Sequence, residues 1–232
     1  MAALLEIRNL TYRHPDGTKA LDDVSLQLED KENLVLFGPN GSGKTTLLLH
    51  LNGTLSGEGS IRVAGLEMTK PNLHEIRRRV GLVFQDADEQ LFMPTVLEDV
   101  MFGPLNLGWS KERAQERAIV TLAEVGIGAE VLARPPFHLS AGEKRRVALA
   151  GVLVMAPSIL LLDEPTTSLD PPGQRSLLEL LRTLPQPKII ATHDMHFAAA
   201  LSKRAVFLAD GRLVEEGSVE DLARKFAWNP YY

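Results

Sequence analysis

The segment Gly38-Pro39-Asn40-Gly41-Ser42-Gly43-Lys44-Thr45 constrains this chain more than any other part of it. It fits the pattern G-x-x-x-x-G-K-[ST] and lies between an apolar run at residues 34–37 and a helix-like stretch at 46–51. A strand, a glycine-rich turn and a helix in that order aim successive backbone N–H groups at phosphate oxygens. The helix N-terminus adds roughly half a positive charge. Lys44 is then expected to reach the β and γ phosphates of a nucleotide and the Thr45 hydroxyl to bind Mg²⁺, with Thr46 continuing the phosphate-binding set.

The rest of the chain reads as a frame for that loop. Residues 5–12 and 20–28 alternate apolar and polar and flank His14-Pro15-Asp16-Gly17, which predicts antiparallel strands. Short continuous apolar runs follow at 34–37, 80–84, 159–162 and 189–191, spaced by helix-length segments. That is the signature of a parallel sheet covered on both faces. Ser110 is expected to cap a helix with Ala114, Ala118, Leu122 and Val125 inward and Gly126 at its end. Ser140 should cap another with Val147, Ala150, Gly151 and Val154 on one face. A mostly helical insertion is predicted over about 94–137, between core segments 1–93 and 138–232. A hairpin-like piece around Asp210-Gly211 and a helix capped by Ser218 come last, before an aromatic end at 228–232.

Three further places carry chemistry. The run at 159–162 delivers Asp163-Glu164 at its carboxyl end, where open α/β sheets bind ligands. Asp163 would hold Mg²⁺ through water, and Glu164 would act as general base toward an attacking water. Acidic residues after a strand are often structural, and it is the pairing with the phosphate loop that favours function here. Gln85 follows the run at 80–84 and His193 the run at 188–192. If the strands are parallel, Gly38, Gln85, Asp163 and His193 leave one edge of the sheet. Gln85 could ligate Mg²⁺ and sense the γ-phosphate, and His193 could hydrogen-bond it. Leu139-Ser140-Ala141-Gly142-Glu143 reads two ways at once, as a capping box of Ser140 with Glu143 and as an exposed helix N-terminus able to take an anion. Asp86, Asp88 and Glu89 read as a solvated loop and Arg77-Arg78-Arg79 as an exposed helix face. His193 with His196 lacks a third metal ligand nearby.

Composition removes other classes. The 232 residues suit one large domain or a core with a subdomain, and the absence of cysteine excludes disulfide frameworks and thiolate sites. With 25 basic and 30 acidic residues the net charge is −5, which lacks the footprint of a nucleic-acid binder. The longest uncharged stretch, 147–162, is 16 residues and contains Pro157, too short and interrupted to span a bilayer. Residues 1–10 carry Glu6 and Arg8 and lack a signal-peptide core.

In that order and spacing, the phosphate loop, Gln85, residues 139–143, the run 160–162 into Asp163-Glu164-Pro165, Ser168-Leu169-Asp170 and His193 resemble an ATP-binding-cassette ATPase subunit. The resemblance covers nearly the whole chain. It implies an α/β fold with a P-loop NTPase core, a mostly parallel sheet, an N-terminal antiparallel β subdomain and a helical insertion subdomain. It also implies ATP and Mg²⁺ as ligands and Tyr12 as the aromatic that stacks on adenine. Ser168, Leu169 and Asp170 would form a loop crossing a dimer interface, and Leu139 to Glu143 a signature that meets the γ-phosphate held by another subunit. The family pattern there is Leu-Ser-Gly-Gly-Gln, and this chain departs from it at Ala141 and Glu143.

Residues 84–92, 98–104 and 144–151 are similar to the ATPase subunits of energy-coupling-factor importers, which take up vitamins or cobalt and nickel. The chain's end soon after its last predicted helix places it nearer the cobalt and nickel branch. The resemblance then implies a homodimer or a pair with a paralogue, transmembrane partner subunits, no nucleic acid, and a peripheral place on the cytoplasmic face of the membrane. A vitamin-type or other importer ATPase, or a soluble cassette ATPase outside transport, stays open as an alternative. A DNA-repair cassette would need a long coiled coil and a ribosomal one a second cassette. A small-molecule kinase would not explain residues 139–143 together with Glu164 and His193.

Overall fold

The computed structural model describes residues 3–228, so the aromatic residues at 229–232 lie outside the described residues. In chain order the elements are β1 (Leu5–Arg13), β2 (Lys19–Leu28), β3 (Asn33–Phe37), α1 (Lys44–Leu51), β4 (Glu58–Val63), β5 (Leu66–Glu67), α2 (Leu73–Arg79), β6 (Val80–Val83) and α3 (Val96–Asn106). There follow α4 (Lys111–Glu124), α5 (Ala141–Leu153), β7 (Ile159–Asp163), α6 (Pro171–Thr183), β8 (Lys188–Ala191), α7 (Met195–Leu201), β9 (Arg204–Ala209), β10 (Arg212–Ser218) and α8 (Val219–Lys225). They fall into two units. One holds residues up to 82, 158–164 and from 184 on, and the other holds 83–157 and 165–183.

The first unit is built on two sheets. Strands run β2-β1-β4-β5 in one, and β10-β9-β3-β8-β7-β6 in the other. The expected antiparallel start is present, with Leu5 opposite Leu28 and Ile7 opposite Leu26. Its alternation is not continuous. Asn9 and Asp23 adopt positive φ, 52° and 58°, and bulge toward each other, Asn9 Nδ2 donating to Asp23 Oδ1 at 2.7 Å. The inward set therefore changes phase, from Leu5 and Ile7 to Leu10 in β1, and from Ala20 and Leu21 to Val24, Leu26 and Leu28 in β2.

In the larger sheet β3 runs parallel to both β8 and β9, and β7 runs parallel to β8. The strands β3, β7 and β8 are buried almost throughout, which explains their unbroken apolar runs. The predicted hairpin is β9–β10, joined by Asp210-Gly211. The arginines at 77–79 are more engaged than an exposed face requires. Arg77 donates to the Gly53 carbonyl at 2.8 Å, Arg79 to that of Ala64 at 3.2 Å, and Arg78 and Arg79 both pair with Glu75.

The second unit is mostly helical. Ser110 caps α4, its Oγ accepting from the Arg113 N–H at 3.3 Å, and Ala114, Ala118 and Leu122 are buried as expected. The helix α5 departs from the one-faced pattern read from the sequence. Val147, Ala148, Leu149, Ala150, Val152 and Leu153 are all buried, because α3 and α4 both pack against it. Long-range neighbours, not its own periodicity, decide its buried set.

Candidate functional site

In the first unit the parallel pairing of β3, β8 and β7 brings three carboxyl ends to one edge. Leu36 lies opposite Ala191, and Asp163 lies opposite Ala191 as well. Gly38, Asp163, Glu164 and His193 therefore leave the sheet side by side, with the loop 38–43 feeding directly into α1. Gly38 has no substitute there. A Cβ on it would stand 2.0 Å from the Leu208 carbonyl oxygen and 2.8 Å from Ser42 Oγ. Gly43 caps α1 at φ 106°, and a Cβ there would stand 2.5 Å from the Ala20 carbonyl oxygen.

Lys44 is 7% exposed and its ammonium donates to the carbonyls of Gly38 and Pro39 at 2.7 and 3.1 Å, which holds it over the loop. Burial draws its pKa below the ordinary lysine range, while the fields of Glu164 and then Asp163 oppose that shift. Both carboxylates thus act on the same ammonium. Ser42 Oγ is buried with no hydrogen-bond partner among the described residues, so the loop keeps an unspent polar group inside it.

Glu164 is placed by an unusual backbone. Its φ is +41°, a left-handed conformation that costs a non-glycine residue about 1 kcal/mol or more. Its N–H donates to the Ala191 carbonyl at 2.8 Å, tying that conformation to the neighbouring strand. The side chain is 9% exposed and lies 2.8 Å from His193 Nδ1, and the His193 backbone N–H also donates to Oε2 at 3.3 Å. A buried carboxylate held by an exposed imidazole beside an ammonium is suited to proton transfer.

The donor set fits ATP with Mg²⁺. Thr45 is exposed at the start of α1, and Asp163 is buried at the end of β7. Among the described residues no cluster of three or more His, Cys, Asp or Glu could hold a metal ion. Few protein oxygens with no dedicated cage is the ordinary arrangement for Mg²⁺ shared with phosphates and water.

Tyr12, near the end of β1, makes edge contacts with His50 at 4.7 Å and His14 at 5.2 Å between ring centroids. It lines a pocket with Arg13, Lys19 and Gly57. His50 was not legible as a neighbour. It sits on α1, fully buried, its Nδ1 bonded to the Thr46 carbonyl at 2.8 Å. A lone histidine among leucines carries no signal in sequence.

The second unit contains Gln85, the segment 139–143 and Ser168-Leu169-Asp170. Gln85 is exposed, two residues past β6. Ser140 and Glu143 form the expected capping box, with the Glu143 N–H donating to Ser140 Oγ at 3.3 Å and the Ser140 N–H to Glu143 Oε2 at 2.8 Å. Ser140 Oγ also donates to Glu143 Oε2 at 2.7 Å, and these bonds hold the carboxyl below its usual range. The extra charge that Glu143 brings to the motif is thus folded back into the cap. Ala141 and Ser140 are exposed and Leu139 is buried, so the motif is anchored at one end and open at the other. Asp170 caps α6, accepting from the Gly173 N–H at 2.8 Å, and Ser168 takes φ +65°. A cavity of about 340 Å³ is lined by Ser140, Gly142, Glu143, Leu169 and Gly173 among others, which joins the two motifs around one opening.

Among the described residues no helix is long and apolar enough to cross a membrane. The ABC transporter family profile matches residues 21–167. The cobalt import ATP-binding protein CbiO of Rhodobacter capsulatus is 48% identical over 224 residues, covering 94% of this chain and 80% of that protein. The energy-coupling factor transporter ATP-binding protein EcfA of Methanosphaera stadtmanae is 43% identical over 228 residues, covering 96% and 82%. A Streptomyces coelicolor relative, 49% identical over 93% of this chain and 83% of its own length, is named for ATP binding in an ABC transporter with no cargo. Among solved structures, cbiO1 of Clostridium perfringens, part of the ABC transporter complex cbiONQ, superposes with a TM-score of 0.84 at 33% identity, covering 97% of this chain and 92% of that one. The ATP-binding cassette MJ0796, a dimer bound to ADP and Pi, gives 0.82 at 29% identity, covering 93% and 98%. Similarity of this extent, over most of the chain in every comparison, shows that the chain belongs to the ABC transporter family, among its ATP-hydrolysing subunits.

Proposed function

We propose that this chain drives a membrane importer of the energy-coupling-factor kind, with cobalt or nickel ions as cargo, and that two copies, or one copy and a paralogue, close head to tail around ATP. The observation that carries the hydrolytic part is Glu164, buried at the sheet edge, braced by His193 at 2.8 Å and acting electrostatically on Lys44. The loop from Gly38 to Gly43, Lys44 and Thr46 bind the phosphates, and Tyr12 stacks on adenine. Thr45, Gln85 and, through water, Asp163 hold Mg²⁺, which supplies neutralising charge for the phosphate oxygens.

Water attacks the γ-phosphorus and loses a proton to Glu164, while the bond to the β-phosphate oxygen breaks and ADP leaves. His193 keeps the Glu164 carboxylate turned to that water. Ser140, Ala141 and Gly142 of a second copy complete the hydrogen bonds to the γ-phosphate, with Leu139 and Glu143 securing the motif from behind. Asp170, with Ser168 and Leu169, crosses the interface. Because those bonds are made only when the pair is closed, ATP favours closure and its loss favours opening. The surface from Gln85 to Phe102 hands that motion to helices of the membrane subunits at the cytoplasmic face. An exposed Phe92–Phe102 pair, 4.9 Å between centroids, supports an apolar contact there.

The name of the Rhodobacter relative, a cobalt import ATP-binding protein, supports cobalt as the cargo. The test is uptake by vesicles holding this chain with the membrane proteins encoded beside it. ATP-dependent accumulation of Co²⁺ or Ni²⁺, lost on Glu164→Gln, is the expected result. Uptake of a vitamin in place of either ion would move the chain to the other branch. Failure to associate with the membranes at all would favour a cassette outside transport.

A further inference from the structure

Arg145 lies one turn into α5 beyond the Ser140 cap and is 5% exposed. Its guanidinium donates through Nη1 to the Phe84 carbonyl at 2.5 Å and through Nη2 to the Gln85 carbonyl at 2.6 Å. Two more side chains fasten the same loop to the same helix. Lys144 Nζ pairs with Asp88 at 2.6 Å, and Gln90 donates to the Ala148 carbonyl at 3.0 Å while accepting from the Phe84 N–H at 3.3 Å. The loop 84–90 is therefore bonded to α5 at positions 144, 145 and 148, all within the second unit. A planar guanidinium with two donors fixed on adjacent carbonyls leaves the backbone of Gln85 no independent rotation.

We propose that Arg145 is a positioning residue for Gln85, locking the loop that serves a chain's own nucleotide to the helix whose N-terminus serves the nucleotide of the other copy. This rests on the functional reading of Gln85 and of residues 139–143 given above. Any displacement of α5 on closure moves Gln85 with it, and any displacement of Gln85 moves the signature. Arg145 thereby couples the two nucleotide sites of a pair without touching either nucleotide, and the coupling is reciprocal. In sequence Lys144-Arg145-Arg146 is simply three adjacent basic residues, and the fold reveals that the middle one is buried.

The experiment is a double-mutant cycle of Arg145→Ala and Gln85→Ala on steady-state ATP hydrolysis with a Mg²⁺ titration. Arg145→Ala is expected to lower kcat by about 10-fold and to raise the Mg²⁺ concentration for half-maximal rate several-fold, within the ordinary range of site coupling. In the Gln85→Ala background the same change should cost less than about 2-fold, because the group it positions is gone. Arg145→Lys, which keeps the charge but has a single donor nitrogen in place of the two-pronged fork, should recover part of kcat and serves if the alanine variant fails to fold. Losses that multiply in the double variant, or an unchanged Mg²⁺ requirement with reduced kcat, would overturn the proposal. Full activity in Gln85→Ala alone would instead refute the underlying role of Gln85.

Discussion

In the first unit Glu164 is set by backbone, a left-handed φ of +41° bonded to the next strand, on an edge made by three parallel strands. In the second unit Gln85 is set by side chains, Arg145 above all, reaching from a helix that is buried nearly all round. One region fixes its chemistry through hydrogen bonds of the sheet ladder that cannot shift without unpairing strands. The other fixes it through a loop strapped to a helix, which can move as one piece. On the proposed function, the chemical step belongs to the first region and the sensing of a partner to the second.

The largest effect should come from the rigid side. Glu164→Gln is expected to cut turnover by roughly 10²-fold or more, with no loss of thermal stability in a melting scan. His193→Ala removes the 2.8 Å brace on that carboxylate, and kcat should fall about 10-fold, worth about 1.4 kcal/mol, while ATP affinity holds. Equal loss of binding would show that His193 grips nucleotide and does not orient the base.

On the movable side two caps with the same 3.3 Å bond separate structure from function. Ser140→Ala and Ser110→Ala should each cost about 1 kcal/mol and lower Tm by about 2–4 °C. Only Ser140→Ala should also slow hydrolysis. Matching activity losses would erase the distinction between the signature helix and its neighbour.

The smallest effects concern pH, and they too oppose the two units. Lys188 in the first unit is 3% exposed and burial pushes its pKa down to about 8. Its contribution to stability is full above the unfolded value of about 10.4 and is lost as pH falls through about 8. Asp99 in the second unit is 8% exposed, accepts the N–H groups of Phe92 and Met93 at 3.0 Å, and keeps a buried Oδ2 with no hydrogen-bond partner among the described residues. Burial raises its pKa, so its contribution is full below the unfolded value of about 3.9 and is lost as pH rises through the folded value. Melting temperatures across pH should show Lys188→Met flattening the alkaline rise and Asp99→Asn flattening the acid-side fall. A slope unaltered by either variant would remove that residue from the account.

The sheet edge was legible because its signals are local. Apolar runs mark β3, β7 and β8, and each is followed at once by a glycine loop, a carboxylate pair or a histidine. The Ser140–Glu143 box was legible for the same reason, its two residues lying three apart in the chain. Hidden features depend on residues distant in the chain. The facing bulges at Asn9 and Asp23 break the alternation of both strands at once. The burial of α5 on all sides comes from α3 and α4. Arg145 meets carbonyls about sixty residues away, and no spacing rule points to them.

The central claim is that one chain's site is finished by a second copy, and sedimentation velocity of Glu164→Gln at micromolar concentration tests it most directly. With MgATP the variant should sediment as a dimer, and with MgADP as a monomer. A monomer under both conditions would contradict the account.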